Sequence, residues 1–565
     1  MGTISDKLMR IINTKEDIRQ ALISKGYDVP TSIPFKEYAK MILDLPCNAD
    51  SFPDIEGIVA RYSASGLTNE QMAANPVWVD KTGNGHDLQL KNFSWKGMSG
   101  VGGYGDENYQ TFYKFTLDNY VFIASPPGVK HMNFTFRVTG LQPGNKLTLA
   151  FLGTTNTVYG TWDKDGIYTV NSAVVEVGKP VYFYNGYGAT RGEFTIEILP
   201  LYPGFILGDG VDDFAVTEKE LNFEDTYTVY TAFIPFQNNP TRNMILCGAD
   251  SKKTFSMQYS SLVYVSFIAG NNYYINADFV NGLNLFACKR NGNNICIKNL
   301  LTNKVVTGTC GDWVENAGLY YLWKNATYAS FARAAIAGQT ICNGYFSTDE
   351  DDEKVLNWYK KQYPWLFPDQ AWTVTGKTNE DTDRATIANI TGNGNDLVLS
   401  NFGFAEGSGY NEEGQYAGYL VTDGVDDKIV SSSFGMGKDF TIVGDWKFID
   451  NKKSGTGLVK GSSFYIYNTM IGLDLYINSG SVKNSLDGIK SINAACSDGR
   501  AYDRNWNEIL ANTGNVVGSG GTLEVSSSGG RFDRIAFKNL AIYPRILSKD
   551  DCIKAYNYLQ TLKSK

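Results

Sequence analysis

Two short acidic runs are the residues in this chain best suited to chemistry. Asp209-Gly210-Val211-Asp212-Asp213 and Asp423-Gly424-Val425-Asp426-Asp427 each gather three carboxylates around a conformationally permissive glycine. Clustered carboxylates suit a hard cation such as calcium, which makes Asp209, Asp212, Asp213, Asp423, Asp426 and Asp427 the candidate ligands. Calcium normally takes six or more oxygens, and one run supplies only a few. The competing and preferred reading is a turn entering a strand, its aspartates accepting from local backbone amides. No metal or other cofactor is therefore assigned, with calcium kept as the alternative.

Other reactive groups are sparse. Asp349-Glu350-Asp351-Asp352-Glu353 is expected as the charged first turn of a helix, where the partial positive charge of the N-terminus favours carboxylates. The two histidines, His86 and His131, have no Ser or Cys nucleophile arrangement nearby. Eight cysteines are scattered without a C-x-x-C pair, so they read as reduced core thiols rather than disulfides or metal ligands. Tyr104, Tyr109, Tyr113, Tyr182, Tyr184 and Tyr187 offer flat faces that stack on sugar rings, although sandwich cores and edges also consume aromatics. No catalytic residue is assigned, and the chain is expected not to be an enzyme.

The elements that position these groups follow from composition and repeats. At 565 residues the chain exceeds one core and implies three to four domains. With 58 Gly, 35 Tyr and 31 Phe it is turn-rich and suited to pleated surfaces, so a mainly β fold is expected. A net charge of −8 disfavours nucleic acid as a partner. No run of about 18 apolar residues suggests a membrane span, and no secretory signal is visible at the start.

An internal repeat organises the rest. Gly66-Leu67-Thr68-Asn69-Glu70 and Gly83-Asn84-Gly85-His86-Asp87 return as Gly376-Lys377-Thr378-Asn379-Glu380 and Gly392-Asn393-Gly394-Asn395-Asp396. The acidic runs follow in both copies, and each copy closes with a helix-like segment after Ser347 or Ser548, read as N-caps. From Gly83 to Asp209 is 126 residues, but from Gly392 to Asp423 only 31, so the first copy carries about 95 extra residues, a domain-sized insertion. The division is 47–103 with 204–368 as one sandwich, 104–203 as an inserted small β-sandwich, and 369–565 as a second sandwich. Ahead of them, 1–46 reads as a helical segment whose apolar stripe (Ile4, Leu8, Ile11, Ile12, Ile18, Leu22) needs a neighbour to pack on.

On the acidic repeat, the Gly-Asn-Gly-His/Asn-Asp turn and the closing helix, the duplicated part resembles the concanavalin A-like, laminin-G-like lectin/glucanase superfamily, implying tandem jelly-roll sandwiches. Glucanases of that fold carry a strand motif Glu-x-Asp-x-x-Glu, which is not found here. The segment Ile11-Ile12-Asn13-Thr14-Lys15 through Ala21-Leu22-Ile23-Ser24-Lys25-Gly26 to Tyr38-Ala39 resembles the virion-attachment segment of tailed-phage structural proteins. The whole arrangement is similar to fibre and decoration proteins of crAss-like phages. The resemblance implies a head fibre fixed to the capsid or other virion proteins by its N-terminus, assembled in the host cytoplasm as a homo-dimer or homo-trimer, with lectin-like domains that adhere to host or mucosal glycans. A tail fibre, or a bacterial surface glycan-binding protein or glucanase, is the alternative.

Overall fold

The structure is a computed structural model. It describes residues 52–103, 114–117, 120–124, 131–151, 157–174, 181–186, 194–236, 243–247, 256–259, 263–269, 271–277, 282–312, 316–324, 331–449, 456–461, 464–468, 472–477, 484–487, 492–510, 521–525, 527–528 and 531–564. Ile4, Leu8, Ile11, Ile12, Ile18 and Leu22 lie outside the described residues.

The fold is mainly β, built from antiparallel sheets. In the first copy an eight-stranded sheet is centred on Thr226–Pro235 and Arg333–Asn343, which pair from Tyr227↔Asn343 to Pro235↔Ala334. Its counterpart in the second copy is centred on Thr441–Phe448 and Ile535–Tyr543, paired from Thr441↔Tyr543 to Phe448↔Ile535. A second eight-stranded sheet faces each, and strand order corresponds one to one between the copies in both sheets. The duplication seen in short motifs thus extends to the whole topology.

Alternation explains which side chains meet between the sheets. Trp446 and Phe448 of one strand point into a core with Trp372, Leu397 and Phe537, while Lys447 between them faces the other way, over the Tyr419 ring at 4.4 Å. The first copy fills the same space with Trp78, Trp323, Tyr227 and Phe286. Two buried indole N–H groups of this core find carbonyls: Trp78 donates to Ser63 O at 2.9 Å and Trp323 to Ala334 O at 2.8 Å. Six free thiols, Cys288, Cys296, Cys310, Cys342, Cys496 and Cys552, are among the described residues.

The strands between Lys114 and Ile198 form two four-stranded sheets of their own around Phe136, Leu149, Phe183 and Ile196. The chain leaves the first sandwich at Gly102 and re-enters at Tyr202, and these two residues are cross-strand partners; Leu201 N–H donates to Gly103 O at 2.9 Å. In the second copy the equivalent pair Asn411↔Tyr419 is joined by a short turn. The host strand Tyr202–Asp209 therefore begins two residues before the expected resumption at 204.

Among the described residues three α-helices accompany the sheets. α1 (Asn69–Ala74) has a capping box from Thr68 and Gln71. α2 (Asp349–Gln362) starts at Thr348 rather than Ser347, because the Thr348 hydroxyl accepts from Asp351 N–H while the Asp351 carboxylate accepts from Thr348 N–H. α3 (Lys549–Leu559) is capped by Ser548 as expected. Among the described residues no helix is long and apolar enough to cross a membrane.

α3 is buried on nearly every side, since Cys552, Ile553, Ala555, Tyr556, Asn557, Tyr558 and Leu559 are all covered. It contacts three bodies. Tyr556 meets the Trp506 ring of its own sandwich edge-on at 5.6 Å. Asn557 accepts from the Thr135 hydroxyl of the insertion at 2.7 Å and donates to Pro200 O at 3.3 Å. Tyr558 accepts from the Leu283 amide of the first sandwich at 2.9 Å. Trp506 also donates to Thr169 of the insertion at 3.0 Å. The insertion is therefore clamped by the second sandwich as well as tethered to the first.

Replacing Tyr558 by Phe keeps the ring and orphans the buried Leu283 N–H. The expected cost is about 1–3 kcal/mol, seen as a lower first transition in calorimetric melting. An unchanged melt contradicts the clamp.

Candidate functional site

The two acidic runs carry the chain from one sheet of each sandwich to the other, between Tyr202–Asp209 and Phe214–Thr217 and between Tyr419–Val421 and Lys428–Ser431. Gly210 and Gly424 have φ of 79° and 75°, in the region that disfavours a side chain, and a Cβ on Gly210 would lie 2.9 Å from Arg333 Cβ. The repeat needs glycine for the turn as well as for space.

In each run one carboxylate oxygen from each of the three aspartates lies within 4.8 Å of the others. Asp209, Asp212 and Asp213 are thus brought together, and so are Asp423, Asp426 and Asp427. Backbone amides claim much of this acceptor capacity. Asp213 Oδ2 accepts from Asp209 N–H at 3.0 Å, and Asp209 Oδ1 from Val211 N–H at 2.8 Å. In the second copy Asp427 Oδ2 accepts from Asp423 N–H at 2.7 Å, and Asp423 Oδ1 accepts from Val425 at 2.7 Å and Asp426 at 3.3 Å. The Ser408 hydroxyl donates to Asp427 Oδ1 at 3.1 Å.

The upstream repeat closes the same turn from outside. Asn92 Nδ2 donates to Asp212 O and Asn401 Nδ2 to Asp426 O, each at 3.0 Å. These bonds span 120 residues in the first copy and 25 in the second, so the insertion leaves the turn intact. Backbone amides thus hold Asp213 Oδ2, Asp209 Oδ1, Asp427 Oδ2 and Asp423 Oδ1, while Asp213 Oδ1 is buried without a hydrogen-bond partner. As placed, the aspartates serve the turn.

Burial raises both inner carboxyl groups. Asp213 is fully covered and is pushed up to about 7, chiefly by loss of water and further by Asp209 and Asp212, against the hydrogen bond from the Asp209 amide. Asp427 is pushed up to about 6 by the same burial.

The acidic start of α2 is more than a solvated first turn. Asp352 is buried; its Oδ2 pairs with Lys289 Nζ at 2.8 Å and Lys298 Nζ at 3.1 Å, and its Oδ1 accepts from Tyr230 OH at 2.9 Å. Lys298 also reaches the exposed Asp349 at 2.6 Å. Breaking such a pair from one side leaves an uncompensated buried charge, so the network pins the helix to its sheet.

Among the tyrosines, Tyr182 and Tyr184 stand on the outer face of strand Val181–Gly186, ring centroids 5.5 Å apart and half-buried, while Phe183 between them is in the insertion's core. Tyr104, Tyr109, Tyr113 and Tyr187 lie outside the described residues. Sequence reasoning missed the junction residues Trp506, Asn557 and Tyr558. The signal was present in Ala555-Tyr556-Asn557-Tyr558-Leu559, where large side chains on consecutive positions leave a helix no solvent face.

No protein-family model matches the sequence, and no curated protein matches it. Among solved structures the chain is similar to the binding domain of Paraclostridial Mosquitocidal Protein 1, at 10% identity over 58% of this chain and 86% of that one, with a TM-score of 0.26. It is similar to a botulinum neurotoxin type C structure, whose description ties cell entry to two ganglioside molecules, at 7% identity over 89% and 96%, TM-score 0.28. Domain 4 of AbnA, an extracellular arabinanase from Geobacillus stearothermophilus in complex with arabinotriose, aligns at 13% identity over 27% and 80%, TM-score 0.20. Likenesses this distant leave function to be argued from this chain's own geometry.

The raised carboxyl groups give a signed pH dependence. A carboxyl whose folded pKa exceeds its unfolded value near 3.9 holds its proton longer when folded, so its ionisation weakens the fold as pH rises. Stability is expected to fall from about pH 4 to about 7 through Asp213, and to about 6 through Asp427. Asp213→Asn, which keeps an acceptor for the Asp209 amide, should flatten the upper part of that fall in thermal melts taken across pH. An unaltered pH profile contradicts the assignment.

Proposed function

We propose that this chain is a non-enzymatic structural protein of a virion, a head fibre that displays its sandwiches outward for adhesion to host or mucosal glycans. In this reading residues 1–46 attach it to capsid or other virion proteins, it assembles in the host cytoplasm, and two or three copies associate. Calcium is not required by the reading, and the acidic runs act as turn locks.

The observation that carries the adhesive part is the Tyr182–Tyr184 pair. Two neighbouring rings on the outer face of a sheet, inclined at 31°, present apolar faces with hydroxyl edges, which suit the faces of sugar rings. The insertion that bears them is held by Trp506 and Asn557, so the platform is presented by a fixed support. Weak single contacts of this kind gain strength from many copies on one particle.

Two measurements test the reading. Replacing Tyr182 and Tyr184 together by Ala should lower retention of the full chain on immobilised host-cell glycans roughly tenfold, the effect of losing one or two stacking contacts. Removing residues 1–46 should abolish incorporation into particles while the sandwiches still melt cooperatively. Undiminished retention removes the adhesive part, and normal incorporation removes the anchor.

A further inference from the structure

We infer that the seam between the two duplicated sandwiches holds a binding site for a polyhydroxylated ligand about the size of one sugar ring. This deepens the adhesive reading and rests on its glycan half alone.

A cavity of about 260 Å³ lies where the first sandwich, α2, residues Leu366 to Asp369, the second sandwich and α3 meet. That is just below the roughly 300–1,000 Å³ of typical small-molecule sites, which favour junctions between domains. Its apolar walls include Leu283, Phe367, Ile390 and Leu562, all buried. They belong to different parts of the fold, so the cavity exists only when the two sandwiches are docked.

Polar groups in the lining are of both kinds. Asp369 is an acceptor, and Arg545 and Lys360 are donors. Among the described residues no ion pair joins Asp369 to either cation, although both cations act on its charge. Arg545 is oriented by donating from Nη1 to Lys360 O at 3.1 Å, leaving other guanidinium N–H groups of its fork available to a ligand. Thr302 Oγ in the same lining is buried and has no hydrogen-bond partner. That oxygen is sealed from the cavity, so the polar contacts of a ligand fall to Asp369, Arg545 and Lys360.

The ligand that satisfies this lining must donate to Asp369 and accept from Arg545 and Lys360 while resting against apolar walls. A ring carrying several hydroxyls does both, because each hydroxyl donates and accepts and the C–H faces are apolar.

The test is ligand-observed NMR and calorimetric titration of the full chain with glucose, galactose, mannose and N-acetylglucosamine. At least one should bind. Arg545→Met, which removes the guanidinium donors and keeps an apolar stem, should weaken that sugar by about tenfold, and Leu301→Trp should fill the cavity and abolish binding. The Tyr182→Ala, Tyr184→Ala double variant should leave this binding unchanged, which separates the seam from the outer platform. Binding unaffected by both seam variants, with unchanged melting curves, overturns the inference while the adhesive reading stands. Binding of glycine or glutamate in place of sugars overturns the ligand class. If no sugar binds, the seam site is overturned, and retention on immobilised glycans by the wild-type chain then decides the adhesive reading separately.

Discussion

The arrangement depends on the burial of one helix on nearly every side. α3 has no solvent face wide enough to stand apart from its neighbours, so the second sandwich, the insertion and the first sandwich must each cover part of it. Apolar contact supplies most of the attraction, but Asn557 and Tyr558 fix the geometry. Each offers polar atoms that are buried and satisfied only when the neighbouring body is in place. A helix that closes one domain thereby determines how three are docked.

That constraint explains why an insertion of this size is tolerated. Its ends are cross-strand partners at Gly102 and Tyr202, so the host sheet closes over the excursion as it closes over a short turn in the second copy. Loop-closure entropy grows only slowly with length, so a folded insert costs little at such a position. What differs from a simple tethered domain is the far side, where Trp506 and Asn557 hold it. The seam cavity is a consequence of docking, whereas the tyrosine pair belongs to the insertion's own strand and docking fixes only its support.

Much of the fold was legible because it is written twice. Repeated glycines and aspartates mark turns whose chemistry is local: Asp87 and Asp396 each accept a backbone amide seven residues earlier, from Asp80 and Asn389, as the motif spacing suggests. The mainly β character followed from composition and alternation. The burial of Asp352 was not legible, since a run of five acids at a helix start reads as solvated, and only the opposing Lys289 and Lys298 from neighbouring strands reveal a paired interior charge. The cap at Thr348 rather than Ser347 turns on one residue of register, which adjacent hydroxyl residues do not distinguish. The seam was illegible for a stronger reason: Thr302, Asp369 and Arg545 are far apart in sequence and meet only through docking.

Native-state hydrogen exchange on the full chain tests the central claim, that α3 makes the three sandwiches one body. The account predicts that amides in α3, in the insertion's strand His131–Thr139 and around Leu283 open together, at one shared free energy that falls in concert when Asn557 is replaced by Ala. Independent opening of the insertion, unaffected by that replacement, would contradict it.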